Sequence, residues 1–142
     1  MADAPQDDRQ RRTGILAGQL AALGGAFRTR LARDREALGG EYAALAGADV
    51  DAPASLKRIE LAAHKLHGTA AMFGYAELGE AAGRLERAAR EALQAGAGAQ
   101  AAHAALARAH AGLATEIDVA LVAPPPEPSI ASRGPGSPPQ TK

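Results

Sequence analysis

Apolar residues recur along this chain at steps of three and four, with no sustained run at the steps of two that mark a half-buried strand. Ile15, Leu16, Leu20, Leu23, Phe27, Leu31, Leu38, Tyr42 and Leu45 form the first series. Gly24-Gly25 inside it predicts a split into a short leading helix and a longer one, and Gly39-Gly40 weakens the second near its end. A turn is expected over 47–53, after which Ser55, or Asp51 ahead of Pro53, caps the next helix. That helix should run from about Ser55 to Phe73. Its buried stripe is Leu56, Ile59, Ala63, Leu66, Ala70 and Phe73, and Gly74 ends it. Leu78, Ala82, Leu85, Ala89 and Leu93 carry another helix over about 76–94. Beyond a flexible turn at 95–99, Leu106, Leu113, Ile117 and Leu121 carry a last one over about 100–122, where prolines stop it. Short links between long helices favour antiparallel neighbours. The expected fold is all-α: an antiparallel up-and-down four-helix bundle with an extra short N-terminal helix.

Composition sets the limits of this picture. The 142 residues allow one domain with tails. The bundle is assigned to 13–122, with a polar disordered tail at 1–12 and a Pro-rich one at 123–142. Phe27, Tyr42, Phe73 and Tyr75 are the whole aromatic complement, so the core must be built mainly from Leu, Ile, Val and Ala. Without cysteine there are no disulfides or thiolate zinc sites. The acidic start, Met1 to Asp8, lacks the apolar core of a secretory signal, and no stretch approaches the ~20 apolar residues of a membrane span. A cytoplasmic protein with no membrane partner, and a monomer, is expected.

The formal net charge is zero, which removes any global field for nucleic acid. Arg9, Arg11, Arg12, Arg28, Arg30, Arg33 and Arg35 do cluster, but Asp7, Asp8, Asp34 and Glu36 interrupt them. A solvated mixed-charge face is the expectation there.

The candidate chemistry sits in the second series. His64 follows Ala63 by one residue and therefore stands about 100° around the helix from the buried stripe. Gly68, one turn on, leaves the ring open to an incoming partner. Glu86 follows Leu85 as His64 follows Ala63. If their helices are antiparallel neighbours, these two flanking positions can meet across the seam. Glu86 also suits a solvated i,i+4 pair with Arg90, and the two readings are compatible. Gly79, Gly83 and Glu86 fall at steps of four and three. Their glycines make a shallow strip that fits either a docking partner helix or tight packing within the bundle. Phe73 and Tyr75 are expected in the core, with Met72 at its edge. His103 and His110 are expected as edge histidines. No metal site is expected, because neither histidine pair supplies enough convergent ligands.

The run Ala63-His64-Lys65-Leu66-His67-Gly68-Thr69-Ala70, followed by Phe73-Gly74 and later Leu85-Glu86, resembles the histidine-containing phosphotransfer (HPt) domains of bacterial phosphorelays. The specific motif occupies 63–86, and the helix pattern around it extends over about 14–122. The resemblance implies that His64 carries a phosphoryl group between receiver-domain aspartates of a hybrid sensor kinase and a response regulator. It also implies that Glu86 accepts a hydrogen bond from the ring's Nδ1–H and leaves Nε2 free to react.

No cofactor is implied, because the magnesium of such transfers belongs to the receiver. With no Gly-rich phosphate loop, the chain would relay phosphate without taking it from ATP. One position departs from the family pattern: His67 stands where Lys or Arg usually attends the phosphoryl oxygens. Lys57, Lys65 and Arg90 are the expected compensating cations. The competing reading is a non-catalytic interaction bundle of the same shape.

Overall fold

The computed structural model describes residues 4–47, 51–96 and 99–126. Four helices follow in order: α1 (Ala4–Ala44), α2 (Ala52–Met72), α3 (Ala76–Ala95) and α4 (Gln100–Val122). Each packs on two neighbours, α1 on α2 and α4, and α3 on α2 and α4, which closes a four-helix bundle. Cross-helix contacts show that α1 runs antiparallel to both its neighbours. Arg28 and Arg35 on α1 bond Leu121 and Asp118 on α4 in reverse order, as Phe27 and Glu41 meet Phe73 and Arg58 on α2.

Two expectations at the N-terminus are corrected. There is no separate leading helix, because α1 passes through Gly24-Gly25 and Gly39-Gly40 unbroken. A helical glycine costs about 1 kcal/mol against alanine but removes no backbone hydrogen bond, and the helix formers on either side carry it through. Residues 4–12, assigned to a disordered tail, are helical as well, with Asp7 in the first turn and an Asp8–Arg12 pair one turn apart. The Pro-rich segment from 127 onward and residues 1–3 lie outside the described residues.

The predicted stripes of α2 and α3 are buried, apart from a half-buried Leu93, and Leu106, Leu113 and Ile117 fill the core from α4. Among the described side chains of α1 only Phe27, Leu31 and Leu38 are buried, while Ile15, Leu16 and Leu23 are exposed. The reason is length. Phe27 already stacks on Phe73 at the end of α2, at 5.3 Å, and Arg28 already caps the last carbonyls of α4. Earlier turns of α1 therefore extend past the ends of the helices that would cover them.

Asp51 proves to be the cap of α2: its Oδ1 accepts from the Ala54 N–H at 3.1 Å, with Pro53 in the first turn. At the other end Gly74 takes φ +87°, the left-handed region that favours glycine. The Tyr75 N–H bonds the Ala70 carbonyl and the Gly74 N–H bonds that of Ala71, a Schellman turn that reverses the chain directly into α3. This short reversal places α2 and α3 side by side with little freedom of register.

His110 lies flat on Tyr42, with ring centroids 4.3 Å apart. Burial, and secondarily the Arg35 charge, hold its pKa below the ordinary 6.5. The folded chain thus refuses a proton that the unfolded chain binds. Stability from neutral His110 is full above about pH 6.5 and is lost as pH falls through the depressed value. His110→Phe is expected to lessen the drop in urea midpoint between pH 7 and pH 5. An unchanged drop would show that His110 is not its source.

Candidate functional site

The site forms along the seam of α2 and α3, where antiparallel packing sets a simple register. His64 on α2 faces Glu86 on α3, with Nδ1 2.9 Å from Oε2. One turn back on α2 and one turn on along α3, Glu60 faces Arg90, whose Nε donates to Glu60 Oε2 at 2.8 Å. Three residues the other way, the His67 ring lies against Gly83, and its Nδ1–H donates to the Gly79 carbonyl at 2.7 Å. The seam thus carries three layers of polar contact.

The middle layer holds an accessible histidine on a nearly covered carboxylate. The His64 side chain is 67% exposed and that of Glu86 only 13%. An ionised carboxylate can only accept, so Nδ1 carries the proton, and in the neutral ring the lone pair is on Nε2. Arg90 donates through a second nitrogen to the same Glu86 oxygen, at 2.8 Å. Glu60, buried to 6% exposure, also receives the Lys57 ammonium at 2.8 Å. The hydrogen bonds from Lys57 and Arg90 hold the Glu60 carboxyl below the usual carboxylate range, and those carboxylates raise Arg90.

Other positions singled out in the sequence are dispersed around this seam. Gly68 is exposed one turn beyond His64, with open space where a Cβ would stand, and Met72 is 62% exposed on the same helix. Lys65 faces the other way, into a cleft of about 230 Å³ shared with Arg30 and Asp34 of α1.

Of the two readings open for Gly79 and Gly83, tight packing within the bundle is the one the fold shows, since both are buried. A Cβ on Gly79 would stand 3.5 Å from the His67 carbonyl, and one on Gly83 only 3.0 Å from the His67 ring. They are bare because α2 presses against them. His67, though exposed, commits its Nδ1 to the α3 backbone. Lys57 and Arg90 are likewise engaged, both by Glu60.

Glu60 is the site residue that sequence reasoning missed. A signal for it was present: once His64 is set opposite Glu86 in antiparallel helices, stepping one turn along each reaches Glu60 and Arg90, a matched pair of charges.

Among the described residues, no group of three or more His, Asp or Glu could hold a metal ion, and no helix is long and apolar enough to cross a membrane. A family model described as the Hpt domain matches residues 19–119. No curated protein and no solved structure matches the chain.

Proposed function

Because the chain belongs to the Hpt domain family, whose members serve histidine phosphotransfer in phosphorelays, we propose that His64 is its phosphoryl carrier. The observation that supports this most directly is an exposed imidazole whose Nδ1 is held by a covered carboxylate, which leaves Nε2 outward and nucleophilic. In the forward step the Nε2 lone pair attacks the phosphorus of a receiver's aspartyl phosphate. The N–P bond forms as the P–O bond to the aspartate breaks, and the carboxylate leaves with that electron pair. Nδ1 keeps its proton throughout, hydrogen-bonded to the Glu86 carboxylate, whose negative charge balances the positive charge the ring acquires. The onward step reverses these bonds on a second aspartate.

Phosphoryl transfer through a loose transition state asks mainly for alignment and charge balance, and a rigid helix face meets both needs. Gly68 allows close approach, and the exposed Met72, two turns further along the same helix, is a candidate contact for the receiver. The partners in this reading are the receiver of a hybrid sensor kinase on one side and a response regulator on the other.

The test is to mix the purified protein with phosphorylated receiver domains and map the acid-labile label. Label on the peptide that spans His64 and His67, retained in His67→Gln, is the expected result. Failure of every phosphorylated receiver to label the wild type would leave an interaction bundle without transfer.

A further inference from the structure

Glu60 is a carboxylate with almost no exposure, on the same helix as His64 and one turn before it. Burying a carboxylate is costly unless its oxygens are paired, and here both are: Oε1 by Lys57 and Oε2 by Arg90, each at 2.8 Å. Arg90 is two-ended. Its Nε is spent on Glu60 and its NH2 group on Glu86 Oε2, the oxygen that also receives His64 Nδ1. A continuous chain of charge-assisted hydrogen bonds therefore runs from a buried acid to the imidazole.

We propose that Glu60 is a positioning residue for His64, acting through Arg90 to hold Glu86 in place and to keep it negative enough to support the ring. The inference rests on the reading of His64 as the phosphoryl carrier.

The charge balance supplies the physical reason. Lys57, Glu60, Arg90 and Glu86 form two cations and two anions, so the cluster is neutral and Arg90 is shared between two carboxylates. With Glu60 neutralised, Arg90 belongs to Glu86 alone. The guanidinium then competes undiluted with Nδ1–H for the same oxygen. The cluster also becomes net positive beside a ring that has to gain positive charge. Further charged or titratable groups nearby are Arg58, Lys65 and His67 on α2 and, from α1, Arg30 and Asp34, whose carboxyl is raised by burial against the opposing charges of Arg30 and Lys65. None of them occupies the seam between Glu60 and Glu86.

The experiment combines Glu60→Gln, Glu60→Asp, Arg90→Met and the Glu60→Gln/Arg90→Met double variant in the full chain. Two readouts are needed: the His64 ring titration by NMR, which requires no partner, and the rate of labelling from a phosphorylated receiver. Expected for Glu60→Gln are a His64 titration displaced to lower pH by roughly half a unit and labelling slowed about tenfold. Glu60→Asp, which keeps the charge, should recover most of both. The double variant should be no worse than Arg90→Met alone, because both act along one chain.

An unmoved His64 titration in Glu60→Gln overturns the inference, and so do fully additive losses in the double variant; either leaves the transfer function standing if the wild type is labelled. Absence of label already in the wild type defeats the transfer reading itself, and the inference with it.

Discussion

His64→Gln is expected to abolish acid-labile labelling from any phosphorylated receiver while leaving the fold intact. Glutamine has no nucleophilic nitrogen, because its amide lone pair is delocalised. Its NH₂ group can still donate to Glu86, so neither that carboxylate nor Arg90 is left unpaired. The native side chain is two-thirds exposed and fills no cavity. A surface replacement of this kind should alter stability by no more than about 0.5 kcal/mol. The pair of measurements is label incorporation and the urea midpoint. Lost label with an unchanged midpoint assigns the chemistry to His64. Label that persists in His64→Gln would transfer the role to another residue, with His67 the nearest histidine.

The second large effect concerns the core. Leu85→Ala should destabilise the protein by about 2–5 kcal/mol, against a total of roughly 5–15 kcal/mol for a domain of this kind. Leu85 is fully buried at the middle of α3. The core around it is rich in alanine: Ala63, Ala70, Ala81, Ala82, Ala88, Ala89, Ala92 and Ala120 are all buried. Alanines let helices approach closely but contribute little apolar area each, so the few large side chains supply a disproportionate share of the burial energy. Short methyl groups also cannot swing into a void, which leaves the cavity unfilled. A lower urea midpoint at unchanged slope, with a melting temperature down by roughly 10 °C, is the expected result. A loss below about 1 kcal/mol would mean that the helices close around the smaller residue.

How much of this was legible in the sequence varied with the physics behind each feature. α2, α3 and α4 could be read almost residue by residue, because a buried stripe on a short helix leaves an unbroken period and Gly74 and the prolines mark its ends. α1 could not, since the Gly24-Gly25 pair signals a break only where nothing else sustains the helix. The equal offsets of His64 and Glu86 from two stripes showed that they could meet, and the resemblance to HPt domains is what singled the pair out. The glycine strip at Gly79 and Gly83 showed that something comes close but not what: an outside helix and α2 ask the same absence of a side chain. Glu60 was hidden for a different reason. Its burial is decided by the facing Arg90, and a carboxylate beside a lysine three residues away reads as solvent-facing until the opposite helix is in place.

The layered α2–α3 seam bears on how the site tolerates motion. A helix can slide past its neighbour only by steps near a turn, about 5.4 Å, because side chains interlock between those positions. Such a step would part His64 from Glu86, Glu60 from Arg90 and His67 from Gly83 together, and the tight reversal at Gly74 has no slack to absorb it. Misalignment of the seam at His64 is therefore quantised. Thermal sliding of α2 on α3 returns the helices to one register, and no gradual series of slightly worse registers lies between that one and wholesale loss of the seam.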